Sequence, residues 1–445
     1  MSSPARAAPV GLSLLSNFSW TFVGNVVYAA CQWGMLVVLA KVGSPEMIGQ
    51  FSLGLAITVP ILSFATLKTR LVQATDARRE YLFGDYFGLR LVTTAMALLV
   101  IAGIVLVSGR RLETALVILV VGVAKAIESI SDIFYGLLQQ RERMDRIAKS
   151  MLIKGPLSLV LLSLGTYLTG SVLWGAVGLA IAWALVLIYY DTRSAALMFK
   201  PKSQAVDVSP SGEGQRAALR PSWEVRTLVN LAWLALPLGI VVTLDSLRSN
   251  VPQYFIAQYL GEHELGIFAP MAYLKRAGHM VIIALGLSAT PRLAQYYAAG
   301  DASAFRSLLL RLLGFGVLVG GTAVLVASAV GRQVLTFLYQ PEYAEHVDVF
   351  VMLMAAAGMD YLATFLDYGM TAARYFRVQM PLLASVVGTA ALASFWLVPS
   401  DGLQGAAMAI ILATTVRLGG SLLIVAHALR TIYKRAAGDE HQGQG

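Results

Sequence analysis

The sequence predicts an all-α integral membrane fold of about twelve transmembrane helices in two six-helix lobes, and three observations lead there. The chain is 57% hydrophobic and 13% charged, with a mean hydropathy of +0.68, which is more apolar than a water-soluble domain tolerates. The apolar residues gather in blocks of roughly 20, the length a helix needs to cross about 30 Å of hydrocarbon. The basic residues sort to alternate ends of those blocks. Strand spans would alternate apolar and polar positions over about ten residues, a pattern absent from blocks that are apolar on every face.

The first block, near residues 17–41, holds the single cysteine, Cys31, so no intramolecular disulfide is possible and the thiol reads as packing. Ahead of it, MSSPARAAPVGLSLLSNFSW carries one arginine and a short apolar stretch that meets Asn17, a poor core for a cleavable signal. The N-terminus is therefore expected to be retained. Further blocks near 47–67, 86–108, 113–138, 148–169 and 172–196 complete a first set of six. A second set lies near 225–257, 264–289, 304–329, 350–373, 378–398 and 404–429. Between the sets, KPKSQAVDVSPSGEGQRAALRPSW is polar and rich in Ser, Pro and Gly, the composition of a flexible linker. The expected division is an N-terminal lobe over 1–196, a cytoplasmic linker over 197–224, a C-terminal lobe over 225–429 and a tail over 430–445.

Orientation follows from positive charge, which stays on the cytoplasmic side of short loops. About 25 of the 34 basic residues fall on the side of the N-terminus and the even-numbered loops, against about four on the other side. Both termini are expected to be cytoplasmic. The inner clusters are Lys68, Arg70, Arg78 and Arg79, then Arg141, Arg143, Arg146 and Lys149, then Lys200, Lys202, Arg216 and Arg220. The net charge of +9 thus expresses membrane topology, and nucleic acid is not an expected partner.

The two sets also resemble each other. Asn17–Trp20 (NFSW) opens the first helix and Asn230–Trp233 (NLAW) the seventh. After the first helix come Gly43, Glu46, Gly49 and Phe51, and after the seventh Gly261, Glu264, Gly266 and Phe268. Six helices return the chain to its starting side, so two such halves share one orientation. They are expected to be related by a pseudo-two-fold axis along the membrane normal, around a central cavity. The bland alternative is that these are interface tryptophans and turn glycines of the kind any helix end carries.

Ionisable side chains inside hydrocarbon cost at least about 2.5–3.5 kcal/mol, so those present should face a wet cavity or a partner. The fourth span carries Lys125, Glu128 and Asp132 on one helix face. The seventh carries Asp245 and Arg248, followed by Asn250 and by Pro252, which removes a backbone hydrogen bond beside the pair. The eighth has Lys275 and Arg276, the tenth Asp360 and Asp367, the twelfth Arg417, and Asn25 and Gln32 add polarity to the first. Near the midplane the cations Lys125, Arg248, Lys275, Arg276 and Arg417 exceed the carboxylates Glu128, Asp245 and Asp360. Surplus fixed cations attract a polyanion, and guanidinium groups grip phosphate oxygens in pairs. Simple neutralisation of helix neighbours remains the competing reading. The carboxylates Glu128, Asp132, Asp245, Asp360 and Asp367 are the candidates for proton or sodium coupling or for gating. Gly316 and Gly320 have GxxxG spacing and read as a close helix contact.

No GxxxxGK[ST] loop, no HExxH and no nucleophile–base pattern occurs, so neither ATP hydrolysis by this chain nor a metal centre is expected, and an enzyme is disfavoured. Three stretches carry a resemblance: GNVVYAACQWGMLVVLAKVGSPEMIGQFSLGLAITVPI, KAIESISDIFYGLLQQRERMDRIAKS and LPLGIVVTLDSLRSNVPQYFIAQYLGEHELGIFAPMAYL. In their order and spacing the chain resembles, over nearly its whole length, the polysaccharide or O-antigen flippases of the multidrug, oligosaccharidyl-lipid and polysaccharide exporter (MOP) superfamily. The resemblance implies two six-helix lobes, a V-shaped cation-lined cavity with alternating access, and a polyprenyl-pyrophosphate-linked oligosaccharide as cargo. It also implies the bacterial inner membrane, no cofactor, and as partners the lipid-linked oligosaccharide, membrane lipids, polysaccharide polymerase and chain-length proteins. Arg248 and Asn250 in LRSNVPQY, with Glu128 and Asp132 in ESISDIFYG, are the residues it carries over; Lys275, Arg276 and Arg417 rest on charge. A cation-coupled multidrug exporter of the same superfamily would be expected to have an acidic cavity instead. A glycan polymerase or ligase would need a large outward loop, and every outward loop here is short.

Overall fold

The computed structural model describes residues 14–76, 78, 80–199 and 219–442. The expectations for the N-terminus, for Arg79, for linker residues Lys200, Lys202 and Arg216, and for the last three residues lie outside them. Among the described residues the chain is helical with no strand. In order the helices are α1 (Leu14–Val42), α2 (Pro45–Thr66), a short α3 (Thr69–Thr75), α4 (Phe83–Val107), α5 (Leu112–Gln140), α6 (Met144–Thr169) and α7 (Val172–Val186). A π-helical turn, Leu187–Asp191, and a last turn, Thr192–Ala196, extend α7. Then follow α8 (Val225–Tyr259), α9 (Glu262–Ala298), α10 (Ala302–Leu338), a 3₁₀ turn (Pro341–His346), α11 (Val347–Ala372) and α12 (Phe376–Gln442).

Among the described residues eleven stretches are long and apolar enough to cross a membrane. The last of them, Phe376–Thr431, has 56 residues, about 84 Å if straight and more than twice the hydrocarbon thickness. It is not straight. Gly402 breaks α12 with φ 59° and ψ −132°, a conformation that side chains strongly disfavour. Beyond the break Gly405 returns so close to Leu397 that an added Cβ would lie 1.9 Å from its carbonyl oxygen. The two arms make twelve crossings and match the separate blocks read near 378–398 and 404–429. Elsewhere the helices run past the expected ends. α9 continues through Pro291 to Ala298 and α10 past Arg332 to Leu338, because a helix does not stop where hydrocarbon does. Large side chains such as Leu106 and Val107 are more than 80% exposed, a surface that lipid solvates and water does not. The molecule is a multi-pass membrane protein.

Contacts divide the chain into two compact units, one of residues 1–43 and 57–243, the other of 44–56 and 244–445. α2 and α8 each contribute to both. In the first unit α6 packs on α1 and α7, and α5 on α3, α4 and α7, around Phe83, Tyr86 and Phe134. In the second, α11 is central and packs on α9, α10 and α12 around Phe305 and Phe365. Small residues set two of the closest approaches. Gly320 of α10 lies against Gly358 of α11, where a Cβ would meet the Gly358 Cα at 2.6 Å, so the GxxxG spacing is a helix contact. α2 and α9 cross through the glycines that the internal repeat matches. A Cβ on Gly49 would fall 1.7 Å from the Glu262 carbonyl oxygen, and one on Gly266 would fall 1.7 Å from that of Pro45. The contact is reciprocal: on each helix the glycine comes four residues after the carbonyl that the other helix's glycine meets. Phe51 and Phe268, also matched, are both buried. The matched tryptophans do not share an environment, since Lys149 lies 5.5 Å over Trp20 while Trp233 is exposed.

This crossing admits no side chain. Gly49→Ala or Gly266→Ala is expected to destabilise the protein by about 1–3 kcal/mol through overpacking. Gly388→Ala, in open space on α12, is expected to be neutral or stabilising by about 0.5–1 kcal/mol. Thermal unfolding in detergent, read side by side for the three variants, checks both signs.

Candidate functional site

The ionisable residues read from the sequence fall into two networks, one in each unit. In the second unit α8 places Asp245 and Arg248 one turn apart, and Arg248 Nη2 lies 3.0 Å from Asp245 Oδ1. Its Nη1 reaches α11, 2.9 Å from Asp360 Oδ1. Asp360 is also paired with Arg417 of α12, whose Nη2 lies 2.5 Å from Asp367 Oδ2. Ser421 Oγ, one turn beyond Arg417, donates to Asp367 Oδ1 at 2.9 Å. A single chain of charge, Asp245–Arg248–Asp360–Arg417–Asp367, thus ties three helices together. Asp360 and Arg417 are buried, whereas the Asp245 side chain is 55% exposed.

Lys275 and Arg276 on α9 part company. Lys275 is half-buried and, among the described residues, lies within 4 Å of no carboxylate; its carbonyl accepts a 2.7 Å hydrogen bond from Tyr361 Oη. One turn on, His279 Nε2 is 3.3 Å from Thr364 Oγ1, and the imidazole stacks on Tyr361. Arg276 is exposed, its guanidinium 4.3 Å from the Tyr273 ring centroid. Asn250 is not brought to the network: its Nδ2 donates to the Ser246 carbonyl of its own helix at 2.7 Å. α8 runs unbroken through Pro252.

In the first unit one face of α5 carries the charges. Lys125 Nζ donates to Glu128 Oε2 at 2.8 Å and lies 5.0 Å over the Trp183 ring, while Tyr28 Oη of α1 donates to Glu128 Oε1 at 2.5 Å. Asp132, a turn further, takes other partners, with Arg70 Nη1 at 3.0 Å and Arg90 Nη2 at 3.7 Å. Arg90 is fully buried and donates to Ser129 Oγ and Thr69 Oγ1. Deeper still, Lys154 Nζ lies 3.0 Å from Tyr135 Oη and 3.6 Å from Asp191 Oδ2, and Ser150 Oγ donates to Asp191 Oδ1 at 2.6 Å. Asp191 ends the π-helical turn, a distortion often found at functional sites. Asn25 is exposed and donates to the carbonyl of Thr21 in its own helix, and Gln32 follows Tyr28 by one turn.

Sequence reading missed Arg90, Lys154, Asp191 and Tyr28, and left Arg70 in a loop cluster. The signal for three of them was present, since an ionisable residue inside any of the blocks 86–108, 148–169 and 172–196 calls for a partner as much as Lys125 does. Counted by unit, these residues are four cations and three carboxylates in each: Arg70, Arg90, Lys125 and Lys154 with Glu128, Asp132 and Asp191 in the first, and Arg248, Lys275, Arg276 and Arg417 with Asp245, Asp360 and Asp367 in the second, where only Arg248 and Arg417 are paired with them. Among the described residues no group of His, Cys, Asp and Glu is arranged to hold a metal ion.

No protein-family model matches the chain. It is 25% identical over 409 residues to the capsular polysaccharide biosynthesis protein CapF of Staphylococcus aureus, covering 91% of this chain and 97% of that one. Among solved structures it is similar to a multidrug resistance MATE family transporter of the MOP superfamily in an inward-facing conformation, with a TM-score of 0.63 and 15% identity over 96% of this chain and 97% of that one. A MOP superfamily transporter from Pyrococcus furiosus, whose reversed binding-pocket polarity is described as suggesting a different function, gives a TM-score of 0.59 and 14% identity over 93% and 95%. At such identities the structural likeness speaks for the fold alone. These likenesses agree with the resemblance drawn from the sequence: the chain is a multi-pass membrane protein with the fold of these transporters, and its sequence is similar to that of a capsular polysaccharide biosynthesis protein.

Proposed function

We propose that the protein is a flippase that carries a polyprenyl-pyrophosphate-linked oligosaccharide across the bacterial inner membrane by alternating access, for assembly of a surface polysaccharide such as O-antigen, capsule or exopolysaccharide. A transporter rather than an enzyme is what the superfamily fold supports. The observation that carries the finer reading is Lys275. Buried carboxylates use Arg248 and Arg417, yet Lys275 stands within the same unit with no carboxylate inside 4 Å, and Arg276 beside it is exposed. Cations left over after internal pairing suit the phosphates of an anionic cargo. A cation-coupled drug exporter would need the opposite surplus. Both termini are then cytoplasmic, no cofactor is required, and proton or sodium coupling falls to the carboxylates Asp360, Asp367, Glu128 and Asp132. Membrane lipids are partners, and polymerase and chain-length proteins are the expected neighbours.

Lys275→Gln is expected to cut transport about tenfold or more, the worth of one charge-assisted hydrogen bond, with membrane abundance near normal. Arg248→Ala should likewise weaken transport more than abundance, because Arg417 still answers Asp360. Arg417→Ala removes the partner shared by two carboxylates and should instead lose folded protein, at about 3–5 kcal/mol. Quantitative blotting of membranes beside a transport assay separates these outcomes. Deletion of the gene in its host should abolish surface polymer and build up lipid-linked glycan on the cytoplasmic face. Unchanged pools with new sensitivity to cationic drugs would identify an exporter.

A further inference from the structure

α10 has two unlike faces. Phe305, Leu309, Leu312, Gly316 and Gly320 are buried against the rest of the second unit. On the opposite side Ser303, Arg306, Ser307, Leu310 and Arg311 line a shallow cleft of about 540 Å³ at the helix's first turns. Their spacing of three and four residues puts all five on one face. Both arginines are exposed, and among the described residues neither lies within 4 Å of a carboxylate. The nearest acid in sequence, Asp301, is engaged elsewhere: its Oδ1 accepts from Ala304 N at 2.8 Å and from Ser303 Oγ at 3.0 Å. Those bonds, the backbone one foremost, hold its carboxyl below the usual range and fully ionised at neutral pH. Ser303 is thereby committed, leaving two guanidinium groups and the Ser307 hydroxyl as donors.

The face continues away from this end as an apolar strip. Leu310, Val317, Leu318 and Leu325 are all exposed, and nothing lies within 4 Å of a Cβ built at Gly314 or Gly321. A cluster of unpaired guanidinium groups beside an open apolar furrow has the shape and polarity of one phospholipid.

We propose that this cleft binds the headgroup of an anionic phospholipid, Arg306 and Arg311 gripping the phosphate while an acyl chain lies along Leu310, Gly314, Leu318 and Leu325. The positive-inside pattern assigns this end of α10 to the cytoplasmic leaflet, where anionic lipids give juxtamembrane arginines their largest gain. A free phosphate would use the guanidinium groups but not the strip. The site is independent of the cargo.

The test uses the full chain in phosphatidylcholine nanodiscs doped with phosphatidylglycerol, with retained lipid read by native mass spectrometry. Arg306→Gln and Arg311→Gln are each expected to weaken phosphatidylglycerol retention about fivefold and together about 25-fold, with phosphatidylcholine unchanged. Arg332→Gln, at the other end of the same helix, should change nothing. The double Arg→Lys variant should keep most of the binding as point charges while losing the paired grip. Undiminished retention in the double Gln variant, an equal loss in Arg332→Gln, or displacement of the lipid by inorganic phosphate would each overturn the assignment.

Discussion

A charge buried in hydrocarbon must be answered by another, and that requirement decides which helices of this protein touch. Asp360 shows it most plainly. Its carboxylate stands between Arg248 of α8 and Arg417 of α12, so three helices meet at one oxygen, with Asp367 and Ser421 extending the contact by two turns. Removing one partner would leave a charge for which the desolvation cost is several kcal/mol. The backbone approach at Gly320 and Gly358 lies two residues from Asp360, so the tightest crossing of α10 on α11 and the ion network fix the same stretch of helix. The first unit solves the same problem with α5, whose Glu128 and Asp132 are answered from α1, α3 and α4.

Within that framework the guanidinium groups differ in what they can release. Arg417 serves two carboxylates, one of them buried, and an anion competing for it would leave Asp360 with Arg248 alone and Asp367 with only the Ser421 hydroxyl. Arg248 shares itself between buried Asp360 and exposed Asp245. Exchange of Asp245 for another anion would therefore leave no buried charge unanswered. Lys275 needs no exchange at all. The order of availability, Lys275 before Arg248 before Arg417, follows from burial and pairing alone, and it separates residues that sequence composition treats as equivalent cations.

Twelve crossings were legible because span length and apolarity are local properties, and even the hairpin inside α12 was visible in the polar break around Gly402. Helix ends were not, since nothing in the hydropathy of Arg332 or Pro291 distinguishes a helix that ends from one that leaves the membrane. Pairs three residues apart, Lys125 with Glu128 and Asp245 with Arg248, follow from helical spacing. Pairs such as Arg70 with Asp132 or Arg417 with Asp360 join residues more than fifty positions apart, and no spacing rule encodes them. Asn250 misled for the converse reason: an asparagine on the right face spends its amide on its own helix. The repeat was read in glycines and tryptophans alike. Only Gly49 with Gly266 and Phe51 with Phe268 are shown to share an environment, because close backbone approach restricts the residue whereas an interface position does not.

α10 contributes none of the residues in the ion network, yet it joins the two chemistries of the second unit. Its glycine face lies at backbone distance from α11, the helix that carries Asp360 and Asp367, and its opposite face presents Arg306, Arg311 and the exposed apolar strip to lipid. Packing there is tight, since a side chain at Gly320 would meet Gly358 and the interior on that side is filled by Phe305, Leu309 and Phe365. α10 and α11 are therefore in direct backbone contact two residues from Asp360, next to the ion pairs.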